Sequence, residues 1–547
     1  MANNPNPVQH DLAVVVNQQY LRRNLRSHYD FIVCGAGSGG SVVAARLAEQ
    51  PDVSVLLLEA GGDDTADTVT TPALWPLNLG SERDWGFSGE PGATLAGRRL
   101  PLSMGKGLGG GSSINVMVWA RGHKQDWEHF AAVSGDPAWG YQSILGYYRR
   151  AEDWQGAPDA DRRGTGGPVH VEQPAAPQPV ARAMIEAADQ MGIPVFDSPN
   201  GEMMEGAGGA AIADLRIRDG QRQSVFRSYT YRAMHQPNLT VLTGALVTRV
   251  LLDGTSATGV EVLLDGKPRQ FRARCETILS LGAIQTPKVL MQSGIGPQEE
   301  LSAHGIRTAC DLPGVGRNHK DHLAFGCTWA YLKPESIGGG GCEATLYWRS
   351  DPRLQQPDIL QCQLEFPVPA PEEAGIETPP HGWTMFAGLA QPKSRGRLRL
   401  SGPEADDPIL IEPNALSAPE DLETALAAVE LCRDIGNHEA FAPLVRQEVA
   451  PGSRNRKAMV DFIRKSAVTY WHQSCTARMG RDEMSVVDHQ LKVYGIDNLR
   501  IADASIMPRI TTGNTMAPCV VIGERAADMI LQRHGLTRTD RPLAAGA

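Results

Sequence analysis

The stretch YDFIVCGAGSGGSVVAARLAEQPDVSVLLLEAGG, residues 29–62, changes its hydrophobic period twice. DFIVCG is a short, branched apolar run. SVVAARLAEQ carries apolar side chains at helical spacing, and VSVLLLEA is a second buried run that ends in an acid. Strand, glycine turn, helix and strand follow, the opening of a doubly wound sheet.

Further along, turn formers and glycines dominate from about 63 to 125, and 126–165 reads as helical. GPVHVEQP followed by PVARAMIEAADQMGIP reads as a strand and a helix of a second unit. Residues 238–283 alternate and carry Asp-Gly and Thr-Gly turns, which predicts a β-meander feeding a buried strand, TILSLGA. The proline-rich region 330–420 predicts sheet with long loops, and DLETALAAVELCRDIGN and KAMVDFIRKSA are amphipathic helices. NLRIADASIMPRI, a strand and turn, and TMAPCVVIGERAADMILQRHG, a helix stopped by glycine, close the pattern.

A chain of 547 residues exceeds the size at which one core stops growing, so two structural units are expected. A net charge of −10 disfavours nucleic acid or an anionic membrane as the main partner, and small neutral ligands fit best. No stretch approaches the length of a membrane helix. In residues 1–28 the apolar run LAVVV is too short for a signal-peptide core, which predicts a flexible leader and a cytoplasmic protein. Nine cysteines without any CxxC suit reduced buried thiols rather than disulfides or zinc, and no metal is expected. Oligomeric state is not legible in the sequence.

Gly35, Gly37 and Gly40 form GxGxxG directly between strand and helix, with Ser38 opening the helix. The first glycine permits the turn, the second lets a pyrophosphate approach the backbone, and the third lets helix and strand close up. Glu59, followed by Ala60, lies about 20 residues on at the end of the second strand, where a ribose ligand belongs. An acid there excludes a ribose phosphate and leaves FAD or NAD. A second glycine run, with Gly105, Leu108, Gly109, Gly110 and Ser112, favours the larger flavin dinucleotide.

Residues 105–128, GKGLGGGSSINVMVWARGHKQDWE, and 282–296, GAIQTPKVLMQSGIG, resemble the two signature stretches of the glucose-methanol-choline (GMC) flavoprotein oxidoreductases. DWGFSGEP, VGRNHKDH, HQSCTARMG, DNLRIADASIMP and GNTMAPCVVIGERAADMI follow in the family's order, so the likeness runs from about 29 to 535, within a branch similar to bacterial choline dehydrogenases. The resemblance implies bound FAD and oxidation of a small-molecule alcohol, with oxygen or a quinone-type compound as electron acceptor. It implies an α/β (α+β) fold: a Rossmann-like FAD-binding domain beside a substrate domain built on an antiparallel sheet covered by helices. The expected division is a leader at 1–28, a discontinuous FAD domain at 29–165, 210–320 and 481–537, a substrate domain at 166–209 and 321–480, and a flexible tail at 538–547. Asn115, Met117 and Val118 are implied to line the flavin, and Val247 to offer its backbone to the adenine. Asp503, Ala504, Thr515 and Met516 belong to the C-terminal cofactor block. Members that link the flavin covalently do so through a histidine where this chain has Ile114, so non-covalent FAD is expected.

Within YWHQSCTARMG, His472 matches the family's catalytic histidine, and Asn514 in GNTMAP matches its partner, which holds the substrate oxygen. An alcohol donates hydride well only when a base takes its hydroxyl proton, and imidazole suits that work. Read without the family, a histidine beside a tryptophan is more often a core residue. Asn514 also sits where a helix N-cap would be, and its amide can serve both purposes. Trp85 and Trp471 shape the pocket or pack the core. Cys475 lacks the surroundings of a nucleophile, and His319 and His322, three apart, lack a third metal ligand. Two other readings remain open at this stage: a hydroxynitrile-lyase-like enzyme on the same scaffold, and a flavin-binding protein without turnover.

Overall fold

In the computed structural model, which describes residues 7–538, strand β1 (His28–Cys34) buries its last four side chains completely and stops at Gly35. Gly35 has φ +96°, and a Cβ there would lie 2.3 Å from the Ser280 carbonyl oxygen, so only glycine can make this turn. Helix α1 (Ser38–Ala48) follows, buried from Gly39 onward, because a Cβ on Gly40 would stand 1.9 Å from the Gly35 oxygen. Strand β2 (Val55–Leu58) then lies parallel to β1, in register from Phe31 with Val55 to Cys34 with Leu58.

Strands β3 (Leu239–Leu242), β4 (Ala245–Asp253), β5 (Ser256–Leu264) and β6 (Lys267–Leu279) complete most of this sheet, in the order β3-β2-β1-β6-β5-β4. Two details differ from the predicted meander. Leu239–Leu242 pairs parallel with β2 and stands apart from the hairpins. Of the supposed separate strand TILSLGA only Thr277–Leu279 is strand, the inner end of the 13-residue β6, whose outer half pairs antiparallel with β5 while Phe31–Cys34 runs parallel to that inner end. One long strand thus joins an exposed hairpin to a buried parallel sheet. Helix α2 (Gly282–Gln292) leaves its end.

The second sheet is antiparallel. It contains β7 (Leu323–Tyr331), β8 (Ala344–Trp348), β9 (Ile359–Leu364) and β10 (Gly382–Leu389). Helix α3 (Pro419–Gly436) covers β10 with Ala425, Ala428, Val429, Cys432 and Ile435, the three-to-four spacing of one helix face. Strands β11 (Val445–Ala450) and β12 (Ala467–Thr469) both pair with β7. Trp329, Trp383 and Phe441 stack with centroids 4.5 and 4.8 Å apart beneath them. At the other edge the strand Gly209–Ile212 pairs with β8, so the expected crossing at residue 210 falls inside a strand of this sheet. The chain then returns to the first sheet: β13 (Leu499–Ile501) pairs parallel with β6, and helix α4 (Met516–Arg533) packs on α1.

The expectation of a flexible leader is corrected for residues 7–28. Pro7–Arg23 is a helix, and Asn17 and Gln18 donate to the backbone oxygens of Met234, Gln236 and Leu239, tying it beside β3. These amides fill backbone acceptors that the edge strand β3 leaves open. The helical reading of 126–165 holds for Lys124–Ser134 and Tyr141–Ala151, and the rest is a short strand and loop. The tail expected at 538–547 lies, apart from Arg538, outside the described residues.

Helices α1 and α4 are joined by a buried network. Glu524 is fully buried and accepts from Arg46 (2.7 Å), Arg150 (2.6 Å) and the Tyr229 hydroxyl (2.8 Å). Burial pushes its carboxyl up, but the two guanidiniums outweigh it and hold the group below the ordinary range. A depressed folded value contributes stability that is present above the unfolded pKa and lost as pH falls through the folded one. Glu524→Gln removes the fully buried acid and leaves Arg46 paired only with Glu49 and the partly exposed Arg150 only with Asp528, and is expected to destabilise by about 2 kcal/mol near neutral pH. Denaturant midpoints of variant and native protein should converge as pH drops below about 4; a constant difference down to acid pH contradicts this account.

Candidate active site

The C-terminal ends of β1 and β2 open into an elongated internal cavity with about 1800 Å³ of empty space, counting its mouth. Gly35, Gly37, Ser38, Glu59, Ala60 and Val247 line one end. Trp85, Gly105, Gly110, Asn115 and Val118 line the middle, with Asp503, Ala504, Thr515 and Met516 opposite, and Trp471, His472 and Asn514 line the cavity beyond. The two glycine runs meet: Gly110 has φ +51°, and a Cβ on it would lie 2.9 Å from the Gly37 Cα.

Glu59 accepts from the backbone N–H of Ala36 (3.0 Å) and Gly61 (2.9 Å), and burial pushes its carboxyl up against those donors. Asp503 accepts from Gly282 N–H (2.9 Å), the Thr286 hydroxyl (2.6 Å) and Ser505 N–H (2.8 Å). It thereby pins β13 to the start of α2. A helix N-terminus at α1, a glycine floor and an acid at the end of the second strand fit a flavin dinucleotide.

Five of the expected cofactor residues do not reach the cavity. Gly40 packs α1 on the Gly35 turn. Leu108, Gly109 and Ser112 build the turn itself, with the Ser112 hydroxyl donating to the Gly109 oxygen at 2.6 Å and accepting from Val225 N–H. Met117 is corrected: at φ +61° its side chain turns away from the cavity and packs beside Gly340, and its neighbours Val116 and Val118 line the wall instead. Residues missed in the sequence include Trp75, Cys362, Leu364 and Phe386, which come from distant segments and bear no motif, and Tyr470, which opens the YWHQSCTARMG stretch.

His472 follows β12 in a turn whose preceding residue, Trp471, has φ +59°. A bulky residue in the left-handed region is strained and must be held. Asp321 holds it, accepting the His472 backbone N–H at 2.8 Å and the Gln473 amide at 2.9 Å, while Tyr470 N–H donates to the His322 carbonyl at 2.9 Å. Burial pushes the Asp321 carboxyl up to about 7 against these donors. The sequence offered no sign that Asp321 acts as a clamp.

The imidazole of His472 is buried, and burial pushes its pKa down to about 3. Its Nδ1 lies 2.9 Å from Nδ1 of His322, and its Nε2 lies 3.2 Å from the amide nitrogen of Asn514. With that amide donating, Nε2 carries the lone pair, and the single ring proton sits on Nδ1 and is donated to His322. His322 then carries its own proton on Nε2, which is buried and has no hydrogen-bond partner among the described residues. His322 was weighed in the sequence only as a metal ligand with His319. The two do not share a helix face: His319 ends a short strand and His322 precedes β7, and no metal-binding cluster occurs among the described residues.

Asn514 is not the helix cap. Thr515 occupies that place without a side-chain bond, and the Asn514 amide goes to His472 instead. Cys475 is fully buried and its thiol is pushed up to about 11, which keeps it protonated. Trp85 stacks on Phe87 with centroids 5.7 Å apart, and the Lys106 ammonium lies 4.9 Å from its ring.

A family model described as GMC oxidoreductase matches residues 29–324 with its N-terminal part, and its C-terminal counterpart matches 392–523. The oxygen-dependent choline dehydrogenase of Rhizobium etli is 35% identical over 543 residues, covering 94% of this chain and 97% of that protein. The protein of the same name from Pseudomonas savastanoi is 37% identical over 546 residues, covering 94% and 95%. The crystal structure of pyridoxine 4-oxidase from Mesorbium loti superposes with a TM-score of 0.86 at 35% identity, covering 93% of this chain and 100% of that one.

The contact between the two glycine runs can be tested directly. Gly110→Ala puts a methyl against Gly37 and is expected to lower the flavin retained per polypeptide, read from visible absorbance, while circular dichroism stays native. Full retention contradicts the assignment of this groove.

Proposed function

The chain belongs to the GMC oxidoreductase family, and on that premise we propose that His472 is the base with which it takes the hydroxyl proton of its substrate. The enzyme is an FAD-dependent oxidoreductase that oxidises an alcohol to an aldehyde or ketone. FAD supplies the acceptor for the hydride that leaves the carbinol carbon. The observation that carries the reading is the placing of His472 Nε2 at the cavity wall, 3.2 Å from the Asn514 amide nitrogen.

Each residue's part follows from its contacts. Nε2 of His472 receives the proton, and Nδ1–H, donated to His322, keeps the ring in that tautomer. Asn514 orients the ring when the site is free and steadies the substrate oxygen when it is filled. Asp321, acting through the backbone, fixes the direction of the imidazole. The apolar side chains around it exclude water, so the bond from oxygen to Nε2 forms without competition. The lyase and non-catalytic readings find no support: the relatives named above are dehydrogenases and an oxidase.

Oxygen is the proposed acceptor, after the names of the choline dehydrogenases. FAD is proposed to be non-covalent, since Ile114 at the cavity wall is an alkyl side chain that cannot form the link. Acid precipitation should leave the flavin in the yellow supernatant; flavin retained in the pellet contradicts this. A cytoplasmic location is proposed because all nine cysteines are free thiols, and no helix among the described residues is long and apolar enough to cross a membrane.

His472→Ala should bind FAD normally and lower the limiting rate of anaerobic flavin reduction by alcohol about 10³-fold. A fall of less than about tenfold contradicts the role of the base. Because burial depresses the imidazole, the neutral base persists above about 3 and is lost as pH falls through that value. The pH profile of kcat/KM should therefore lack a limb near the ordinary histidine value of about 6.5. A clear limb there contradicts the buried neutral imidazole.

A further inference from the structure

Beyond His472 the cavity is walled by Trp75, Cys362, Leu364, Phe386, Tyr470 and Trp471. The polar handles of Trp75 and Tyr470 are spent on backbone. Trp75 Nε1–H donates to the Gly340 oxygen at 2.9 Å, and the Tyr470 hydroxyl donates to the Phe386 oxygen at 2.8 Å. The cavity therefore meets ring faces and edges: Trp75 and Trp471 lie edge to face with centroids 6.4 Å apart, and Tyr470 lies parallel to the His472 imidazole within 8°.

No carboxylate is among the described residues of this wall. The acids that line the cavity, Glu59 and Asp503, are on the cofactor side with their oxygens engaged by backbone and hydroxyl donors. Glu365 follows Leu364 in the chain but lies outside the lining, and its carboxyl accepts from Gly338 N–H at 2.5 Å. Burial, then the neighbouring Glu343, push it up to about 8, so it is mostly uncharged at neutral pH.

Two cations also bear on the cavity, opposite in sign to the partly ionised Asp321 behind His472 and to Glu343 beside Glu365. Arg216 and Arg222 are both buried and converge on the Asn115 amide oxygen, at 2.9 and 3.0 Å. Their other partners are backbone carbonyls of Val69, Ser112, Asn115 and Gln223, and neither has an acid partner among the described residues. Asn115 itself lines the cavity. A permanent cation entering here loses its hydration, meets no carboxylate in the wall itself, and is repelled by the two guanidiniums on Asn115. Attraction from the aromatic faces offsets only part of that.

We infer that this enzyme's substrate is an uncharged alcohol carried on an apolar, aromatic body, and that the site rejects quaternary ammonium alcohols of the kind named for its choline dehydrogenase relatives. The inference rests on the alcohol-oxidation reading above. An uncharged ring meets Trp75, Phe386, Tyr470 and Trp471 with no desolvation of charge, and its carbinol oxygen can reach Nε2 of His472.

The decisive comparison uses choline and its uncharged carbon isostere, 3,3-dimethylbutan-1-ol, with benzyl alcohol as the aromatic probe, all on the FAD-loaded enzyme. kcat/KM for the isostere should exceed that for choline by about 100-fold, and benzyl alcohol should exceed the isostere. Leu364→Glu, which adds an acid to the wall, should narrow the ratio of isostere to choline by about tenfold. Choline equal to or better than its isostere with the native enzyme overturns the inference and leaves alcohol oxidation standing. If none of the alcohols bleaches the bound flavin under anaerobic conditions, alcohol oxidation itself falls, and this inference with it.

Discussion

The hydrogen bond between the Nδ1 atoms of His322 and His472, at 2.9 Å, is the contact on which the site depends. An imidazole has one proton to place when neutral, and whatever fixes that proton on one nitrogen leaves the other as base. Here both partners of His472 push the same way. His322 takes the Nδ1 proton and Asn514 donates toward Nε2, while burial removes the charged form from competition. The ring is thus held neutral with its lone pair directed into the cavity, before any substrate arrives.

The two sheets exist, in functional terms, to bring that nitrogen to the flavin groove. The parallel sheet presents a glycine turn and a helix N-terminus, which suit a pyrophosphate. The antiparallel sheet supplies β12, whose end carries the strained turn at Trp471 and His472. Asp321 lies two residues before β7, the strand paired with β12, so the clamp on the turn is anchored by the same strand pair as the turn itself. The Glu524 network then fixes α4 against α1, and the segment carrying Asn514 enters α4. Precision at the proposed base therefore rests on elements that are themselves locked by buried polar contacts.

The groove was legible in the sequence because its parts are local. Gly35, Gly37 and Glu59 sit at spacings set by one strand-turn-helix-strand unit, and a backbone constraint leaves a glycine wherever it acts. The roles proposed for His472 and Asn514 come from family resemblance, since nothing in their immediate neighbours distinguishes a base from a packed histidine. What stayed hidden depends on contacts made across the fold. His322 is 150 residues from His472, Arg216 is 101 from Asn115, and the aromatic wall draws on residues from Trp75 to Trp471. The leader was misread for the same reason: its helix is weakly amphipathic, and what secures it is a set of amide bonds to a strand more than two hundred residues away.

The most direct measurement is the tautomer of His472, read from ¹⁵N chemical shifts of histidine-labelled FAD-loaded enzyme, with His472→Gln to assign the signal. The account predicts a neutral ring at neutral pH with the proton on Nδ1 and a bare Nε2. A signal showing Nε2 protonated, or both nitrogens protonated, contradicts it.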